Sequence, residues 1–224
     1  MSIRLIPLSL TLLTLAGCPS KQPVTETPAD VSKAQPRTMP ESLPTPDFKA
    51  PETEVRTLSN GLKVVVASNH EVPLWDVRIT FNAGGYLDPK GKTGLAEITF
   101  SMMNEGAANR SSEDISRDLK ALASSVYASA GPDGASVSAS GIKRNLEATL
   151  DIWADVVRLP TFPKNEWDIK KPQWLAQLKN ARKAPSSVAN RVYNNLIYGD
   201  NYRGRIPMEA DYNKINPKDM GAFH

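Results

Sequence analysis

Cysteine is almost missing: Cys18 is the only one in 224 residues, so the sequence holds no intrachain disulfide and no thiol-rich metal site. Histidine is nearly as scarce, with His70 in a turn-like stretch before Pro73 and His224 as the last residue given. These read as a solvated loop histidine and a terminal one, not as two ligands of one ion. A long basic run is also lacking. The formal charge of +3 comes from 27 Lys and Arg scattered among 24 Asp and Glu, and no aromatic platform accompanies them. Nucleic acid is therefore excluded as an expected partner. Lys170-Lys171 and the Lys179 to Lys183 stretch read as solvated helix faces.

What is present begins with an address. Arg4 precedes an apolar stretch from Leu5 to Leu15, too short for a comfortable membrane span, and Leu15-Ala16-Gly17-Cys18 comes next. Residues 1–17 thus read as an export signal. The last four residues resemble the bacterial lipobox, which implies cleavage before Cys18 and lipid on its sulfur and new amino group. Several acyl chains would give stable membrane attachment. The implied location is a bacterial cell envelope, with the folded part in the periplasm or outside the cell. Residues 18–52 are rich in Pro, Ser, Thr, Lys and Glu. That composition predicts an extended tether that holds a domain off a membrane surface.

From Thr53 the pattern alternates between strands and amphipathic helices. Strands are predicted over Val55–Leu58, Leu62–Ala67 and Leu74–Phe81, and helices over Thr93–Glu105 and Ser112–Ala123, with Ser111 or Ser112 as cap. Ser125–Ala130 and Ala135–Ile142 flank Gly131-Pro132-Asp133-Gly134 and predict an antiparallel pair. Helices are predicted over Lys143–Arg158, Lys164–Lys183 and Ser186–Tyr198. Pro172 should kink the second of these or divide it in two. The class is α+β, an antiparallel sheet packed against helices. Trp75, Trp153, Trp167, Trp174 and Met102-Met103 fall on apolar faces and read as core.

The stretch from Gly94-Leu95-Ala96-Glu97 through Phe100-Ser101 to Asn104-Glu105-Gly106 resembles the zinc helix of the pitrilysin/insulinase family, the inverted zincins. That helix reads Gly-Leu-Ala and then H-x-x-E-H. Two His one helical turn apart reach one zinc, and the Glu takes a proton from zinc-bound water. Here Glu97, Phe100 and Ser101 stand in those places. Phe100 cannot act as a base, Ser101 is a poor ligand, and Glu97 alone cannot hold the metal. By register with Ala184-Pro185 and Leu196-Ile197-Tyr198-Gly199, the family's third ligand falls at or near Gln177. Glu105, eight residues after Glu97, lies too far along the predicted helix to complete a site with it. The opening Leu58-Ser59-Asn60-Gly61 and the strand Pro73–Gly85 are similar to the family's first strands.

The resemblance spans residues 53–224 and implies a metallopeptidase-like domain of the processing-peptidase type, with no catalytic residue and no zinc. It also implies that the domain is truncated before its last strand and a second domain of similar fold. Some heterodimeric members pair a zinc-bearing subunit with one that has lost the motif, and substrate joins a sheet edge as an extra strand. The matching edge here is Tyr127, Ala128, Ser129 and Ala130. Their small side chains would let a peptide backbone approach, or simply pack beneath a helix. The resemblance thus implies a lipid-anchored, non-catalytic partner of a zinc-bearing peptidase of the same family, acting on extended peptides. A stand-alone peptide-binding or scaffolding lipoprotein, or a truncated non-functional fragment, is the alternative, and an active zinc metalloendopeptidase ranks last.

Overall fold

The computed structural model describes Asp47, Ala50 and residues 52–224. The signal segment, Cys18 and nearly all of the tether lie outside the described residues. The chain from residue 52 begins with an antiparallel hairpin, β1 (Thr53–Thr57) and β2 (Lys63–Ala67), turned at Asn60-Gly61, where Gly61 takes φ of 85°. A three-stranded antiparallel sheet comes next, in the order β3 (Leu74–Phe81), β7 (Ala135–Ile142), β6 (Ser125–Ala130). β7 is central, with Val77 opposite Ala139 and Ala139 opposite Val126.

The alternation along these strands decides which face is covered. Trp75, Val77, Ile79 and Phe81 join Val126, Ala128, Ala135, Val137 and Ala139 in the core. On the opposite face the serines of β6 and β7 meet water, and Ser125 and Ser140 share a 2.9 Å hydrogen bond. The covered face packs against α1 (Leu95–Met102) and α3 (Leu146–Arg158). Between these two helices in the chain, β4 (Gly106–Ala107) and β5 (Arg110–Ser111) form a short hairpin that no sequence pattern signals, and α2 (Ser112–Ala121) comes directly after it. α2 starts with a capping box in which the Ser111 hydroxyl and the Asp114 carboxylate satisfy each other's backbone amides.

Several boundaries differ from the sequence reading for local reasons. The first helix is shorter than Thr93–Glu105, because the chain tightens into a 3-10 turn at Met103–Glu105. Ala123 ends the second early, with φ of 47°, and a 3-10 turn at Lys143–Asn145 precedes α3. α4 (Lys164–Ala181) runs through Pro172 as one helix, not two. Trp167 and Trp174 hold its two halves together, ring centroids 5.8 Å apart. α5 (Pro185–Tyr198) buries none of its residues, and Leu196 is 77% exposed. α6 (Glu209–Lys214) and α7 (Pro217–Phe223) then return the chain to the core through Tyr212, Ile215 and Met220. His224 is exposed, with a ring nitrogen 2.9 Å from the Val157 carbonyl and its ring against Phe162.

Candidate functional site

Helix α1 is apolar nearly all round, so it is buried as the hub of the fold. Leu95, Ala96, Ile98, Thr99, Phe100 and Met102 are all buried. Glu97 and Ser101 are its two exposed positions. Four residues apart, they share one face of the helix. Phe100, three residues after Glu97, borders that face but is buried in the core, where its ring meets Phe81 with centroids 5.9 Å apart. The three positions therefore present one carboxylate and one hydroxyl to solvent, and a hydrocarbon ring to the interior.

The start of α1 is built around a residue that the sequence motifs do not single out. Gly94 takes φ of 97° and has no side chain to cap the helix. Asp88 caps it from outside, accepting from the Gly94 N–H at 2.6 Å and the Ala96 N–H at 2.8 Å. Asp88 is 6% exposed. Burial pushes its carboxyl above the ordinary aspartate range, against the lowering effects of those amides and of Arg205. The Tyr212 ring lies against Gly94, only 2.8 Å from where a Cβ would stand. Burial first and the Glu97 charge second push the Tyr212 phenol up to about 12.

Beside this helix start lies a cleft of about 340 Å³, lined by Asp88, Glu97, Ala130, Pro132, Arg203 and Arg205 among others. Two glycine-bearing turns form its floor. The N–H of Gly85 donates to the Gly131 carbonyl at 3.0 Å and that of Tyr86 to the Pro132 carbonyl at 3.1 Å. A Cβ on Gly84 would meet three backbone atoms of the second turn at 2.7 to 2.8 Å. The strap between α5 and α6 forms a wall. Arg203 pairs with Asp133 at 2.7 Å, Tyr202 donates to the same carboxylate at 2.6 Å, and Arg205 reaches the Asp88 carbonyl at 3.3 Å. Glu97 has no hydrogen-bond or ion-pair partner among the described residues. Desolvation by the cleft and then the Asp88 charge push its carboxyl up from the usual glutamate range.

The other expected residues fall in different places. Gln177 is exposed on α4 and is not part of the cleft wall. Glu105 is already engaged, accepting from the Ser112 hydroxyl at 2.8 Å and pairing with Lys170 at 2.7 Å. β6 is one of the two outer strands of its sheet among the described residues. Tyr127 is exposed on its outer face, Ala128 is buried beneath α1, and Ser129 and Ala130 are half-buried. The Asn104 amide donates to the Val126 carbonyl at 3.1 Å, so that carbonyl faces away from β7. By the alternation of an antiparallel ladder, the backbone groups of Ala128 and Ala130 face the same way. The 3-10 turn after α1 meets this edge at its Val126 end through Asn104, and the Glu97 cleft lies at its Ala130 end. No sequence signal marked Tyr202, Arg203, Arg205 or Tyr212, because contacts distant in the chain bring them here.

Residues 63–208 match the model of the family described as Insulinase (Peptidase family M16). Among similar proteins, the mitochondrial-processing peptidase subunit alpha of Solanum tuberosum is 26% identical over 187 residues, covering 81% of this chain and 36% of its own. The non-peptidase homolog YmxG of Helicobacter pylori is 24% identical over 115 residues, covering 51% of this chain and 27% of its own. In structure, the chain is similar to a peptidase M16 inactive domain from Pseudomonas fluorescens. The TM-score is 0.71 at 26% identity, over 77% of this chain and 42% of that one. The chain thus spans less than half the length of each of these relatives.

Proposed function

This chain belongs to the insulinase family, peptidase family M16, and from that premise we propose that it is a non-catalytic member that serves a zinc-bearing peptidase of the same family as partner or substrate-binding subunit. The observation that carries the reading is the face of α1. Where the family's chemistry needs two imidazoles and a carboxylate, the exposed positions are Glu97 and Ser101, and Phe100 is packed against Phe81. One carboxylate and one hydroxyl do not fit zinc, which takes three or four ligands, mostly His and Cys. Gln177, exposed on α4 away from the cleft, adds nothing to that set. The chain therefore carries no zinc of its own and cleaves no peptide bond.

Other features of the chain support the rest of the reading. The outer position of β6 supports binding of an extended peptide, whose backbone would supply most of the contact without any catalytic side chain. Relatives named as subunits of a processing peptidase, and one named as a non-peptidase homolog, support a role beside an active partner. The lipobox-like Leu15-Ala16-Gly17-Cys18 supports a lipid anchor at Cys18 and a place at the bacterial cell envelope.

A detergent pull-down from native membranes, with mass spectrometry and zinc analysis of the same sample, tests this reading. A stoichiometric partner carrying H-x-x-E-H and about one zinc per complex is expected, and deletion of this chain should lower that partner's peptidase activity. Zinc bound to this chain alone would overturn the non-catalytic reading. Unchanged partner activity after deletion would overturn the subunit role and leave a stand-alone peptide-binding lipoprotein.

A further inference from the structure

We propose that the cleft at Glu97 is a recognition site for a primary ammonium group on a peptide laid along the outer edge of β6. The inference rests on the peptide-binding reading and adds which chemical group the site selects.

Charge accounting in the cleft is the first argument. Arg203 is matched by Asp133 at 2.7 Å. Arg205 reaches the backbone carbonyl of Asp88 at 3.3 Å, and its charge acts on the Asp88 carboxylate. Asp88 also spends both of its carboxylate oxygens on the start of α1. Glu97 alone is left without a partner among the described residues, so the uncompensated charge of the cleft is one carboxylate. An isolated carboxylate in a partly desolvated recess favours a cationic ligand with hydrogen to donate.

Position is the second argument. Ala130, the last residue of β6, lines the same cleft as Glu97. At the far end of the edge the Asn104 amide already occupies the Val126 carbonyl. An added strand is thus closed off at one end and led into the cleft at the other. A strand antiparallel to β6 that starts beside Ala130 would place its first residue there. At about 340 Å³ the recess lies at the small end for ligand clefts, which suits one terminal residue or one side chain and not a longer segment. The ammonium can come from a peptide N-terminus or from a lysine side chain in the first position.

The test uses the full chain and hexapeptides of alternating Val and Thr carrying a C-terminal fluorescein, read by fluorescence anisotropy. One peptide has a free N-terminus, one is N-acetylated, and one is N-acetylated with Lys in the first position. The free-amine peptide or the acetylated Lys peptide should bind about tenfold more tightly than the acetylated Val-Thr peptide, about 1.4 kcal/mol. Whichever of the two shows the gain identifies the source of the ammonium. In Glu97→Gln the three peptides should bind alike, at the level of the acetylated Val-Thr peptide. Equal binding of all three to the unaltered chain overturns the ammonium site and leaves the peptide-binding reading standing. A preference that persists in Glu97→Gln assigns the selection to another group and also overturns it. No binding of any peptide overturns the peptide-binding reading, and the ammonium site with it.

Discussion

Replacing Asp88 by Ala should destabilise the domain by removing the cap of α1. The Asp88 carboxylate accepts from Gly94 at 2.6 Å and Ala96 at 2.8 Å, and Gly94 and Ala96 are themselves buried. Alanine would leave two helix-start amides without an acceptor and without water. A hydrogen bond to a charged group contributes about 1.5–3 kcal/mol, less the cost of holding that charge in a desolvated place. The net loss should be about 3 kcal/mol, on the order of 10 °C in melting temperature for a domain of this size. Asp88→Asn keeps one acceptor and removes the buried charge, but turns an NH2 toward one of the amides, so it should cost about half as much. The two variants also differ with pH. Burial raises the folded-state pKa of Asp88 above 3.8, so the folded state favours the neutral acid. The stability this contributes is fully present below 3.8 and is lost as pH rises through the raised value. The unaltered chain should show this loss between acid and neutral pH, and Asp88→Asn should lack the part due to residue 88. Urea unfolding followed by far-ultraviolet circular dichroism, at several pH values, measures both effects. An Asp88→Ala midpoint equal to that of the unaltered chain would refute the capping account.

Three other substitutions and titrations probe the same geometry. Phe100→Glu, which restores the family's acidic residue, should not create activity; it buries a carboxylate where a ring meets Phe81, and a drop of about 3–5 kcal/mol in thermal or urea unfolding is expected. Gly84→Ala should cost about 1–3 kcal/mol, because its Cβ would stand 2.7 Å from the Gly131 oxygen; a melting temperature unchanged within error would show that the two turns can separate freely. Tyr212 should ionise near 12, later than an ordinary tyrosine, as followed by phenolate absorbance. Because its folded pKa is raised, its contribution is complete below about 10 and lost as pH rises through about 12; Tyr212→Phe should remove that part of the alkaline loss, and an unchanged alkaline transition would contradict the burial argument.

Much of this protein was legible from residue order alone. Period-two runs located β3, β6 and β7, and turn chemistry at Gly131-Pro132-Asp133-Gly134 marked the antiparallel pair of β6 and β7. The family was legible as well, through the Gly94-Leu95-Ala96 entry to α1 and the spacing of the residues after it. These features depend on neighbours in sequence or on a fixed helical period, so local patterns carry them. The absence of imidazoles from positions 97 and 101 was likewise plain in the sequence.

Tertiary structure decided the rest. The order β3-β7-β6, which makes β6 an outer strand among the described residues, depends on pairing between strands that lie more than fifty residues apart in the chain. Asp88 reads as one acid in a glycine-rich connection until folding buries it against the start of α1. Pro172 reads as a helix breaker, yet packing between Trp167 and Trp174 carries α4 past it. The cleft beside Glu97 exists only because the strap bearing Tyr202, Arg203 and Arg205 crosses over two turns far from it in the chain. Local preference can name helices, strands and turns, because their energies come from nearby residues. Burial, charge matching and the partner each side chain meets are properties of surfaces that come together only when the chain closes on itself.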